Sequence, residues 1–548
     1  MRARTRAAMA AAITSLALLA AACQPSSPTA PGDTGSGGTG EPKAISVRGC
    51  TPQNPLIASN TGEVCGGNVL DAITAKLIHY NPDTAAPELD IAESIETTDN
   101  ITFTVKLKHG YRFHDGTEVK AKNFVDTWNW AAYGPNGQYN GYFMEPIAGY
   151  ADVQCGDADC KEKPKTDKMS GLTVVDDYTF TIKTSEPVSN LKVRLGYTVF
   201  APQPDAFFAD TSEGKAEFAK LPIGAGPFKV TTNNENEIVL EKFADYSGTN
   251  KPQIDKVTFK IYNDANAAYA DVVANNLDFT DIIPADALVN DQWKTDLPDR
   301  NLVRESGVIQ ALGFSPSDEQ LKDINKRKAL SMSLDRELIS KQIFQGTRVP
   351  ATGWVSPVVD GYKPDQCGEV CVYNPTKAKE LWDAAGGYTG TLTLSVNGDG
   401  GHKPWADAAC NNWRKVLGVD CQVNVTPDFK TIRNQLGKRE LKGLFRSGWQ
   451  MDYPSIENFL APIYKTGASS NDFDYSSKAF DTLLKQAAAA TSETEANNLY
   501  QQAEAELAKD LPTVPKWYSA TPVGWSDRVD NVKVTPFGVL DFTSITVK

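Results

Sequence analysis

The chain has 548 residues, 41% hydrophobic and 22% charged, the balance of soluble globular domains and enough length for two or three cores. Fifty-five Lys plus Arg against 68 Asp plus Glu leave a net charge of −13, which excludes the basic surplus a nucleic-acid binder needs. Only four histidines, His79, His109, His114 and His402, are scattered along it, so a histidine-built metal site is not expected.

Arg2, Arg4 and Arg6 precede a mostly apolar run from Ala8 to Ala22, and Cys23 closes it. This is the pattern of an export signal, too short to span a bilayer. The small residues Ala20, Ala21 and Ala22 before Cys23 resemble a bacterial lipobox, with Ala20 where leucine is usual and Leu19 one place earlier. The expectation is therefore a signal peptide over 1–22, lipidation at Cys23 and a tether over 23–43. From Pro25 to Lys43 the chain is rich in Gly, Ser, Thr and Pro and has too little apolar surface to offset the entropy of ordering it. Gly-Ser-Gly-Gly-Thr-Gly (35–40) lies in that tether and has neither the strand nor the helix of a phosphate loop.

The remaining eight cysteines fall into four local pairs: Cys50 with Cys65, Cys155 with Cys160, Cys367 with Cys371, and Cys410 with Cys421. Proximity favours these four disulfides, which suit an exported protein and pin loops rather than hold the core. No second close Cys or His pair accompanies Cys367 and Cys371, so no metal is expected there.

Chain order gives a short strand at Ala44–Val47 and a helix over Asn68–Tyr80 from the spacing of Val69, Leu70, Ile73, Leu77 and Ile78. A strand follows at Ile101–Leu107, then a helix at Ala121–Trp130 and a hairpin over Leu172–Ile182 turning at Asp176-Asp177. Strands are expected at Ile238–Lys242 and Lys256–Tyr262, and one amphipathic helix from Arg327 to Phe344. Beyond it come a helix at Thr376–Ala385, a strand at Leu392–Val396, a helix at Trp405–Leu417 and two helices in Ser476–Leu507. The mixture indicates an α/β or α+β chain. It carries no G-x-S-x-G, H-E-x-x-H or phosphate-loop lysine motif, and His114-Asp115 reads as a turn after a strand.

Several ordered segments resemble one family, the extracytoplasmic peptide-binding proteins of ABC importers (solute-binding protein family 5). They are Glu88-Leu89-Asp90-Ile91-Ala92-Glu93-Ser94, Phe113-His114-Asp115-Gly116-Thr117 and Pro222-Ile223-Gly224-Ala225-Gly226-Pro227-Phe228. Arg327 to Arg336, Gly448-Trp449-Gln450-Met451-Asp452-Tyr453-Pro454 and Asn458-Phe459-Leu460 continue the series. The resemblance implies a periplasmic-binding-protein-like clamp of two lobes joined by a two-strand hinge, with an extra inserted domain. Lobe I would be discontinuous (44–85, 195–305 and 520–548), the inserted domain II would occupy 86–194, and lobe III 306–519.

It also implies that a peptide lies along Gly448 to Gln450, with Asp452 pairing the amino terminus. Arg446, six positions earlier, would sit near the carboxylate, and Trp449 and Tyr453 would be pocket walls. The protein would be a monomer held to the outer face of the cytoplasmic membrane by its lipid. Its partners would be a peptide and the permease subunits of an ABC transporter, with no cofactor and no catalysis of its own. A family member taking an oligosaccharide or a metal chelate, and an exported α/β hydrolase, are the alternatives. Against the first stands Asp452, since a sugar has no ammonium to pin; against the second, the lack of a marked nucleophile and base.

Overall fold

The computed structural model describes residues 42–157 and 159–548. The signal segment, Cys23 and the tether up to residue 41 lie outside the described residues.

One mixed sheet of eleven strands runs through the molecule. Its order is Cys421–Thr426, Leu392–Asn397, Leu444–Gln450, Asn301–Phe314, Thr513–Trp525, Phe279–Thr280, Ala44–Gly49, Lys256–Ile261, Glu237–Lys242 and Phe228–Asn233; Arg348–Pro350 pairs separately with Thr513–Trp525. Two of these strands are far longer than the rest, with 14 residues in Asn301–Phe314 and 13 in Thr513–Trp525. They run antiparallel and serve both halves of the molecule. Asn301–Glu305 pairs with Ala520–Gly524 in one half, and Ile309–Gly313 with Thr513–Tyr518 in the other. Register breaks between Glu305 and Ile309, so the ladder is interrupted where the chain passes from one half to the other. Two lobes joined by this strand pair are the architecture expected of a clamp.

Each lobe has its own apolar core. One cluster joins Ile45, Val47, Val69 and Ile73 to Phe228, Leu240, Val257, Phe279 and Val523. A larger one is built from Leu312, Leu330, Trp354, Leu394, Trp413, Leu444, Phe480 and Leu507. A third lies under a separate four-stranded antiparallel sheet, ordered Ala92–Glu96, Thr102–Leu107, Thr179–Lys183, Leu172–Asp176. The helix Ala121–Ala132 lays Phe124 and Trp128 against that sheet, where Phe180 stacks on Phe124. Among the described residues no helix is long and apolar enough to cross a membrane.

The four local disulfides are present: Cys50–Cys65, Cys155–Cys160, Cys367–Cys371 and Cys410–Cys421. The most recognisable loop motif proves to be a joint. His114 N–H donates to the Gly224 carbonyl at 2.9 Å. The Gly224 N–H in turn donates to His114 Nδ1 at 3.1 Å. A Cβ on Gly224 would stand 1.9 Å from the Ile73 carbonyl oxygen, so only glycine fits where this turn crosses the helix end. Burial lowers the His114 imidazole to about 4, which keeps it neutral.

Two helices differ from expectation. The first runs Val64–Ile73 rather than Asn68–Tyr80, because Thr74 turns extended and Ile78–Tyr80 pairs with Pro87–Leu89. The Asp90 carboxylate takes the Lys76 N–H at 3.2 Å, fixing the exit. The second, Arg327–Phe344, is two helices, Ile324–Met332 and Arg336–Ile343. Asp335 divides them by capping the later one, its side chain accepting the Leu338 N–H at 2.9 Å.

Candidate functional site

A cavity of about 430 Å³ lies between the lobes and is lined from both. Its wall in one half is the strand Leu444–Gln450. That strand is paired along its length with Val308–Phe314 on one side. On the other it meets Leu392–Asn397 only at Leu444 and Phe445. From Arg446 to Gln450 this second edge has no strand partner among the described residues, and the same residues line the cavity. Backbone N–H and C=O groups left open on such an edge are a template for one more extended chain. Gly448 lies midway along it, and a Cβ there would come 2.7 Å from the Ile309 carbonyl oxygen, so a side chain would push the strand off its partner.

The structure brings Arg446, Gly448, Trp449, Gln450 and Asp452 to this one cavity. Tyr453 is not among its lining residues. It is 1% exposed and packs into the cluster beneath the four-stranded sheet, facing Phe143 edge-on at 6.4 Å between ring centroids. Its expected place as a pocket wall is thus not where the side chain goes.

Asp452 follows the end of the strand and is oriented from behind by Asn458, a fully buried side chain on the short helix Ile456–Phe459. The Trp449 indole also donates to Asn458 Oδ1, at 3.0 Å, so one amide orients both the carboxylate and the ring. Burial pushes the Asp452 carboxyl up to about 7. Hydrogen bonds from Asn458 and Tyr197 oppose the rise, and the negative charge of Glu457 adds to it. Tyr80 and Tyr142 also lie close enough to feel the charge. Among the described residues Asp452 forms no ion pair.

At the other end Arg446 lies over the Phe429 ring at 5.0 Å. Burial lowers the guanidinium to about 10, with Arg433 adding repulsion and Asp399 opposing it, so it stays charged at neutral pH. Arg433 is bound to Asp472 and to the Tyr139 hydroxyl, whereas Arg446 forms no ion pair among the described residues. His402 beside it is fully enclosed and neutral: burial, then the charges of Arg446, Lys516 and Arg348, hold it well below its usual range. Its Nδ1 accepts from the Trp405 indole at 3.1 Å. The cleft is therefore polarised, acidic at Asp452 and basic at Arg446, with an open strand edge between.

Sequence reasoning missed Tyr197, Tyr139, Arg433 and His402, which come to the cavity or its margin from remote segments. Asn458 belongs to the recognised Asn-Phe-Leu segment, but nothing local marks it as the residue that orients Asp452.

Comparison with known proteins agrees with the fold. A family model described as "Bacterial extracellular solute-binding proteins, family 5 Middle" matches residues 86–471. Among curated relatives, the oligopeptide-binding protein OppA of Bacillus subtilis (strain 168) is 25% identical over 503 residues, covering 89% of this chain and 90% of that protein. The periplasmic oligopeptide-binding protein OppA of Escherichia coli (strain K12) is 29% identical over 447 residues, 79% of each chain. Among solved structures, the murein tripeptide binding protein MppA of Escherichia coli superposes with a TM-score of 0.82 at 22% identity, covering 93% of this chain and 99% of that one. The unliganded open form of MppA gives 0.64 at 21% identity, with 93% of this chain and 98% of that one covered. The family consists of extracytoplasmic binding proteins rather than enzymes. The chain belongs to the bacterial extracellular solute-binding proteins, family 5.

Proposed function

We propose that the cleft captures peptides and hands them to the permease subunits of an ABC importer. The open edge from Arg446 to Gln450, bracketed by an uncompensated cation and a protonatable carboxylate, carries this reading. A peptide in extended form offers a backbone donor and acceptor at every residue, an ammonium at one end and a carboxylate at the other. Pairing of its backbone with Gly448 and Gln450 supplies affinity that does not depend on side chains. Asp452 takes the ammonium, Arg446 faces the carboxylate, and Trp449 forms part of the wall. The relatives in Bacillus subtilis and Escherichia coli are oligopeptide-binding proteins, which supports the same ligand class.

The lobes of this reading are 44–85, 195–305 and 520–548 for the first, 306–519 for the second, and 86–194 for the inserted domain. Cys23 anchors the protein by a lipid, and the tether lets it work just off the outer face of the cytoplasmic membrane.

Native mass spectrometry of protein purified without added ligand tests the ligand class. A ladder of co-purifying peptide masses is expected. A single sugar or chelate mass would overturn the reading.

A further inference from the structure

Tyr453 is the residue next to Asp452, yet its side chain leaves the cavity. Among the described residues it is the one buried member of its cluster that comes from beyond residue 246; the others lie between Ala75 and Tyr246. The strand it follows belongs to the opposite core, through Leu444 and Phe445. A side chain from the 306–519 half is thus a knob in an apolar socket built by 75–246, under the four-stranded sheet. Phe143 stands edge-on to the ring, and the Arg194 guanidinium lies 5.9 Å from its centroid.

Behind the knob is a buried ion pair. Arg194, at the end of Leu191–Arg194, meets Glu457 of Ile456–Phe459 at 3.4 Å, with both side chains at most 10% exposed. Asn190 donates to the same carboxylate at 3.5 Å, and the Tyr453 hydroxyl donates to it as well. Arg194 also donates to Asn190 at 3.0 Å. None of Tyr453, Arg194, Asn190 and Glu457 lines the cavity. Further out, Lys465–Glu145 at 2.6 Å and Lys485–Glu186 at 2.8 Å join other parts of the 86–194 and 306–519 stretches at the surface, where such pairs contribute little.

We propose that Tyr453, backed by Arg194 and Glu457, is a closure latch. It is a positioning element that touches no ligand and stabilises the shut clamp. The knob can occupy its socket only when the lobes are together, and here it is seated among those residues. Because Tyr453 is covalently next to Asp452, filling the anchor and seating the knob are one movement. A latch of this kind acts through the fraction of molecules that are closed. The observed dissociation constant is the intrinsic one divided by that fraction, so the latch changes affinity by one factor for every ligand. An anchor such as Asp452 instead discriminates between ligands. The inference needs the two-lobed fold, and uses the peptide reading only to choose a probe.

Two variants test it: Tyr453→Ala, and the double variant Arg194→Met with Glu457→Gln, which removes both charges together and strands neither. The first measurement is the fraction of each purified protein carrying co-purified ligand, by native mass spectrometry, whatever that ligand is. Occupancy should fall in both variants. The second is calorimetry with a tripeptide and its N-acetylated form. Both Kd values should rise by the same factor, about 10- to 100-fold for loss of a buried aromatic anchor. X-ray scattering should show that each variant needs proportionately more ligand to contract. Unchanged occupancy in both variants would overturn the latch, as would a loss confined to the free-amine peptide. A sugar mass in the first measurement, with occupancy still falling, would overturn the peptide reading and leave the latch standing.

Discussion

Asp452 and Asn458 are joined twice: the Asp452 N–H donates to Asn458 Oδ1 at 2.7 Å, and Asn458 Nδ2 donates to Asp452 Oδ2 at 2.8 Å. The amide is buried and fixes where the carboxylate points. Replacing Asn458 with Leu keeps the bulk and removes both partners. Leaving buried polar groups unpaired costs about 1–3 kcal/mol, so thermal stability should fall by a few degrees. Affinity for free-amine peptides should fall about tenfold or more, while N-acetylated peptides lose little. Differential scanning calorimetry and titration calorimetry on the same preparations check both.

Binding should release protons near neutral pH. Burial holds the Asp452 carboxyl at about 7, and an ammonium beside it would favour the charged form and lower it. A proton therefore competes with the ligand. Above about pH 8 the competition vanishes, and below pH 7 the Kd for free-amine peptides should rise towards tenfold per unit. N-acetylated peptides should show a flat profile. Titrations in buffers of differing ionisation enthalpy read the released protons directly; equal heats in all of them at pH 7 would contradict the assignment.

Glu504 should make the protein less stable as pH rises. Its side chain is fully enclosed: Oε1 accepts from the Trp354 and Val355 N–H groups at 2.7 and 3.2 Å, and Oε2 has no partner among the described residues. Burial pushes it up to about 8. The folded form thus keeps its proton where the unfolded chain has lost it, between roughly pH 4 and 8. Over that window each unit of rising pH removes about 1 kcal/mol of stability, and the loss is complete above 8. Glu504→Gln removes this slope. The variant should melt at a higher temperature than the parent at pH 8, with the gap closing towards pH 5.

Much of the fold was legible because periodicity survives locally. The hairpin Leu172–Lys183 and the helix Lys403–Leu417 stand where alternation and helical spacing put them. The failures came from distant partners. The helix expected to run from Arg327 to Phe344 breaks at Asp335, whose N–H is taken by Asn412 Oδ1 at 2.9 Å, 77 residues away. Leu77 follows Ile73 by four and Ile78 follows Leu70 by eight, as in a helix, but Ile78 pairs with Leu89 as a strand. Asp452 and Arg446 were legible only because they stand in a recognisable run. Tyr453, in the same run, points into the core under the four-stranded sheet, and no local pattern distinguishes a wall from a knob. Tyr197 and Arg433 reach the cleft through tertiary packing alone.

Membrane attachment should depend on one atom. Cys23 directly follows the small residues Ala20–Ala22 and precedes the Gly- and Ser-rich tether. Cys23→Ser should move the protein from the membrane to the soluble fraction with peptide affinity unchanged. Retention on membranes in high salt would exclude the lipid anchor.

The peptide-binding account rests most heavily on Asp452, and a double-mutant cycle tests it most directly. Asp452→Asn keeps the shape and one acceptor but removes the charge, and N-acetylation removes the ligand's charge. Truncating one partner of a buried pair costs about 2–5 kcal/mol, or roughly 30- to several-thousand-fold in affinity. Calorimetry with matched free and acetylated peptides on both proteins closes the cycle. The account predicts that Asp452→Asn costs that much for the free peptide and almost nothing for the acetylated one. Additive losses would show that Asp452 does not hold the amino terminus.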